Sequence, residues 1–66
     1  MDKETLLIMK RLDVYAPILI SPWDEVAKYL IDKYDTGNIL DEYELDVASS
    51  IVMMVLMGRK ITMEVS

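Results

Sequence analysis

Half of the chain's twelve acids, Asp32, Asp35, Asp41, Glu42, Glu44 and Asp46, fall in a stretch that holds a single base, Lys33. Carboxylates at that density can coordinate a hard cation, split their pKa values for acid–base chemistry, or meet a basic surface. Segment 32–46 has a formal charge of −5, which is also the charge of the whole 66-residue chain, because the acids and bases elsewhere balance. The acidity is therefore local, and the first question is which of the three chemistries these spacings support.

A calcium loop is the most specific option, and its ligand positions exclude it. With Gly37 as the sixth residue, Asp32 takes the first position and Ile39 the eighth, as the EF-hand pattern asks. The third position is then Tyr34, and the twelfth, which must be a bidentate Glu, is Tyr43. A hard cation needs six or more oxygens, and this loop does not supply them. The same residues read more simply as the end of one helix followed by the start of another.

Catalysis fares no better. The chain has no His and no Cys, which removes thiol nucleophiles, imidazole relays, Cys/His metal sites and disulfides. Carboxylate pairs need a pocket that separates their environments, and a chain this short has little room to build one. Nothing distinguishes Lys28, Lys33 or Lys60 from surface lysines. The expectation is a non-enzymatic protein with no catalytic residues, no cofactor and no metal. Nucleic acid is disfavoured as a partner because phosphate binding is driven by Lys and Arg. The pairs Lys10-Arg11 and Arg59-Lys60 read as helix-end charges.

The remaining chemistry is contact with a basic partner, and it requires elements that hold the acids outward. Leu6, Met9 and Leu12 share a helical stripe, predicting helix 3–15, stopped by Pro17, which also disfavours helix at Ala16. Ser21 as N-cap, Pro22 in the first turn and Asp24 three residues after the cap predict a second helix over 22–36. Its apolar face is Val26, Ala27, Leu30, Ile31 and Tyr34, and Gly37 supplies the left-handed residue beyond its end. Asp41 with Glu44 three residues on is a capping-box pattern, and Leu45, Ala48, Val52 and Val55 continue a third helix over 42–57. Ile61 to Val65 alternates with period two and reads as a short strand, with Ile18 to Ile20 as its pairing partner. The fold class is thus mostly α: a single domain over 1–66, three helices and a short C-terminal strand at 61–65. The alternative is α+β, in which Gly58-Arg59 turns a 51–57/61–65 β-hairpin that faces Leu56 to Ile61, Met54 to Met63 and Val52 to Val65.

Hydropathy adds a second surface. A domain this small buries only about 60% of its unfolded surface, yet 53% of its residues are hydrophobic and the mean hydropathy is +0.22. Every residue from Ile51 to Met57 is apolar, and a helix with no polar face is buried on all sides. This predicts self-association, as a dimer or other homo-oligomer, through Ile51, Val52, Met54, Val55 and Met57. The Met53, Met54, Met57 and Met63 group would suit an adaptable interface or ordinary core filling equally. Trp23, Tyr29, Tyr34 and Tyr43 likewise fit either interior packing or interface anchoring.

No apolar run approaches the roughly 18 residues of a membrane span, and no secretory pattern opens the chain, so a soluble cytoplasmic protein without membrane contact is expected. Together these readings predict a small acidic interaction module. It would act as a regulator or inhibitor by covering a basic surface of a larger protein with Asp32, Asp35, Asp41, Glu42, Glu44 and Asp46. The alternative is a purely structural self-assembling subunit that uses the apolar 47–57 segment.

Overall fold

A computed structural model describes residues 2–63 and contains three α-helices, α1 (Lys3–Tyr15), α2 (Trp23–Asp35) and α3 (Glu42–Leu56). The chain is mostly α, and among the described residues no sheet forms. Asp2 starts α1, its carboxylate accepting from the Glu4 amide at 3.1 Å and from the Thr5 hydroxyl at 3.3 Å. Pro17 ends the α-helix but not the helical sense of the chain. Ala16 keeps right-handed helical geometry and donates its N–H to the Leu12 carbonyl, and Ala16–Ile18 tightens into one 3-10 turn. The bias against helix at Ala16 is thus overridden at that one residue, because the preceding turn already holds it, while α1 ends at Tyr15 as expected.

The start of α2 differs from the sequence expectation. Pro22, not Ser21, is the flanking residue and has no side chain to cap this end, although Asp24 Oδ1 accepts the Glu25 amide at 2.8 Å. The Ile20 carbonyl instead accepts the amides of Trp23 at 2.8 Å and Asp24 at 3.2 Å, so the backbone supplies what the Ser21 hydroxyl was expected to give. The other end follows the sequence closely. Gly37 has φ +85°, its amide donates to Tyr34 O at 3.1 Å, and the Asn38 amide donates to Lys33 O at 3.2 Å. That pair of bonds is a Schellman closure, which needs a left-handed residue and so favours glycine.

Helix α3 begins with the expected capping box and ends one residue before the predicted boundary. Gly58, at φ +73°, donates to Val55 O at 3.1 Å and Arg59 donates to Met54 O at 2.9 Å, a second Schellman closure. The hairpin alternative is corrected here. Residues 51–56 are helical, and Gly58 serves as a helix terminator instead of a hairpin turn. Good helix formers following a complete cap keep the helical register through Leu56.

The chain after Gly58 returns to the Ala16–Ile18 turn. Leu19 and Thr62 form an isolated antiparallel bridge, flanked by Ile20 N–H to Ile61 O at 2.8 Å and Met63 N–H to Ile18 O at 2.7 Å. The pairing partner is the one expected, but the contact is a single bridge and not a strand. Positions 64 and 65 of the predicted strand lie outside the described residues. Leu19 and Ile61 are both buried, so this clasp seals one edge of the core. The rest of the core is Met9 and Leu12 from α1, Ala27 and Leu30 from α2, Leu40, and Ala48, Ile51 and Val52 from α3.

Candidate functional site

Between α2 and α3 the helical faces carry Tyr29 and Lys33, one turn apart, opposite Glu44. Lys33 Nζ donates to both carboxylate oxygens of Glu44, at 2.8 Å and 3.0 Å. The Tyr29 hydroxyl donates to Glu44 Oε2 at 3.0 Å, and the Asp41 amide donates to Oε1 at 3.1 Å. A carboxylate offers about four acceptor sites, and all four are engaged. The Glu44 amide in turn donates to Asp41 Oδ1 at 2.7 Å, completing the capping box.

These contacts fix the charge states. The Lys33 hydrogen bond, then the Asp41 backbone amide, hold the Glu44 carboxyl below its ordinary range, against the opposing effect of burial. The hydrogen bond to Glu44 raises the Lys33 ammonium above the ordinary lysine value. Glu44 is only 8% exposed and is the buried charged residue among those described. Its assignment to the partner-facing acids is therefore corrected: it is an internal tie between α2 and α3, with no free lone pair to offer.

The other five predicted acids, Asp32, Asp35, Asp41, Glu42 and Asp46, are exposed. Because Glu44 takes up Lys33, the only base of the segment, the charge of the pair cancels internally. The exposed remainder of 32–46 holds five acids and no further base of its own. Asp41 keeps its cap while facing solvent; Glu42 opens α3, where its charge suits the helix dipole. Asp32 and Asp35 stand in the last turn of α2, where a negative charge opposes the dipole.

The predicted self-association set divides in two. Ile51 is 0% exposed and Val52 is also buried, both inside the chain's own core, whereas Met54 and Val55 are half-buried and Met57 is 62% exposed. The helix is therefore not buried all round. It has one core-facing side and an exposed apolar stripe of Met53, Leu56 and Met57 on the other. Ala48, Ile51 and Val52 fill the buried part of the face turned towards the other helices, with Leu45, Val47, Met54 and Val55 packed half-buried beside them, and the rest of the apolar run is left facing outward on the single chain.

Sequence reasoning missed a groove between α2 and α3 of about 520 Å³, walled by Trp23, Val26 and Tyr29 on one side and by Tyr43, Val47 and Met54 on the other. Its floor includes Glu44, and Asp46 stands at its lip. The helical spacing of Val26, Tyr29 and Lys33 on one α2 face was the signal available in the sequence. Pairing that face with Tyr43 and Val47 needed the helix crossing. Among the described residues no group of three or more His, Cys, Asp or Glu side chains could hold a metal ion, and no helix is long and apolar enough to cross a membrane. Comparison with known proteins found no matching family, no matching curated protein and no matching solved structure.

Proposed function

We propose that the chain is a small non-enzymatic interaction module that regulates or inhibits a larger protein by covering a basic surface. The observation that carries this reading is the position of Asp32 and Asp35, exposed acids in the final turn of α2. Acids at a helix start are explained by the dipole, which accounts for Glu42 and Glu44 without any partner. The same physics works against Asp32 and Asp35, each at a cost of about 0.3–1 kcal/mol. Residues that break a local rule without a structural return are candidates for function. Asp41, Glu42 and Asp46 extend the same charge across the turn into α3, and the internal Lys33–Glu44 pair takes up the one base of the segment. The test is affinity capture from the native host with mass spectrometry, using the wild-type chain and a Glu42→Lys/Asp46→Lys variant. The reading expects a basic protein that the variant loses, and unchanged capture would sink it.

A second reading, a structural subunit that self-assembles in the cytoplasm, draws on the exposed stripe of Met53, Leu56 and Met57. It expects a concentration-dependent mass that falls to the monomer when Met57 or Leu56 becomes Asp, while changes to the acids do little. Light scattering of both sets of variants separates the two readings.

A further inference from the structure

We infer that the α2–α3 groove is the docking site for a basic amphipathic helix of the partner, a deepening that rests on the interaction reading above. The shape of the groove sets the form of the occupant. A furrow between two packed helices accepts the side-chain ridge of a third helix, with apolar anchors at i, i+3, i+4 and i+7. Its walls are the right surface for such anchors. Trp23, Tyr29 and Tyr43 give large rigid aromatic area, and Met54 adds an adaptable thioether. Tyr43 is 76% exposed and Tyr29 is also exposed, although the Tyr29 hydroxyl is already held by Glu44. The Tyr29 ring is therefore oriented but uncovered, and the Tyr43 ring is uncovered.

The charge around the groove sets the sign of the occupant. On α2, Glu25 and Asp32 stand one helical turn before and after Tyr29; on α3, Glu42 and Asp46 stand beside and one turn after Tyr43. All four are exposed, and the exposed Lys28 beside Tyr29 on α2 leaves these lips with four acids against one base. Lys33, the base one turn after Tyr29 on α2, is neutralised by Glu44. An apolar trough with two acidic lips selects a helix whose apolar stripe is flanked by Lys or Arg and repels an acidic one. Aromatic faces along the walls add cation–π attraction for the same side chains.

Trp23 is the chain's single tryptophan and lies in the groove wall, so its emission reports occupancy. The probe is a peptide of about fourteen Leu and Lys residues in heptad spacing, free of aromatic groups, with a Leu/Glu peptide of the same pattern as control. The expected result is a saturable blue shift with Leu/Lys and none with Leu/Glu. Tyr43→Ala and Asp46→Lys should each weaken it by about tenfold or more. Both positions are exposed, and circular dichroism verifies that the variants remain helical. Absence of a saturable shift overturns the groove. If Asp46→Lys weakens peptide binding while Tyr43→Ala and Trp23 emission do not respond, the acidic surface binds outside the groove, and this inference falls while the interaction reading stands. A shift that follows protein concentration alone and is lost in Lys10→Glu/Arg11→Glu also overturns it. The occupant would then be the exposed Leu7, Lys10, Arg11 and Val14 face of a second copy.

Discussion

Lys33 on α2 and Glu44 on α3 meet through both carboxylate oxygens, at 2.8 Å and 3.0 Å, and this contact divides the acids of segment 32–46 into two kinds. Glu44 spends its charge inside the fold, on Lys33, Tyr29 and its own helix cap. Asp32, Asp35, Asp41, Glu42 and Asp46 remain at the surface. The carboxylate that ties the helices and the acids proposed to meet a partner are therefore different groups a few residues apart, and they can be separated by substitution.

The pair gives stability a defined pH dependence. The folded-state pKa of Glu44 is lowered, so its contribution is complete above the ordinary carboxylate range and is lost as pH falls through the lowered value. The folded-state pKa of Lys33 is raised, so its contribution is complete below the ordinary lysine range and is lost as pH rises through the raised value. Glu44→Gln is expected to melt below wild type at neutral pH, with the difference shrinking as pH falls through the acid range. Thermal melts from about pH 7 down to about pH 2 check this; a difference independent of pH would show that the ion pair is not its source.

Removing the α3 cap should cost about 1 kcal/mol, because Asp41→Ala frees the Glu44 amide at the first turn. In a domain of this size that lowers the melting temperature by about 4–8 °C. Differential scanning calorimetry measures it directly.

The apolar run in α3 should respond unevenly. Ile51→Ala empties a fully buried site and is expected to cost about 2–5 kcal/mol, a large share of the whole stability of a small domain. Met53→Ala, two residues on, touches an exposed position and should stay within about 0.5 kcal/mol. Urea titrations of the two variants compare them on one scale.

Asp35→Asn removes a charge that opposes the dipole of α2, so it should raise stability by about 0.3–1 kcal/mol while weakening capture of a basic partner. A fall in stability would mean that Asp35 has a structural role, and the argument from its position would be withdrawn.

The helices and the Gly37 terminator were legible because each signal is local. Gly37 closes a Schellman turn within a few residues of the helix it ends, and Asp41 and Glu44 form their box across three positions, whereas Gly58, which closes the same turn on α3, suits a hairpin turn equally well in the sequence. The start of α2 was misread because the acceptor for its first amides is the Ile20 carbonyl, which no residue type announces. Glu44 was misplaced for a related reason. Its burial depends on α2 bringing Lys33 and Tyr29 across from eleven and fifteen residues away. The run 51–57 did not resolve into two faces in the sequence because hydropathy gives no direction. Once the helix is packed, Ile51 and Val52 face inward while Met53, Leu56 and Met57 face out.

The central claim is that the exposed acids recognise a basic partner while Glu44 only holds the fold. The most direct measurement compares the wild-type chain, Asp32→Asn/Asp35→Asn/Asp46→Asn and Glu44→Gln in quantitative capture of the same host protein, below the melting temperature of each. Asp41 is left intact because it caps α3. The account predicts that the triple variant, folded and no less stable than wild type, loses the partner, whereas Glu44→Gln retains it. Loss of capture with Glu44→Gln alone, or full capture by the triple variant, would contradict it.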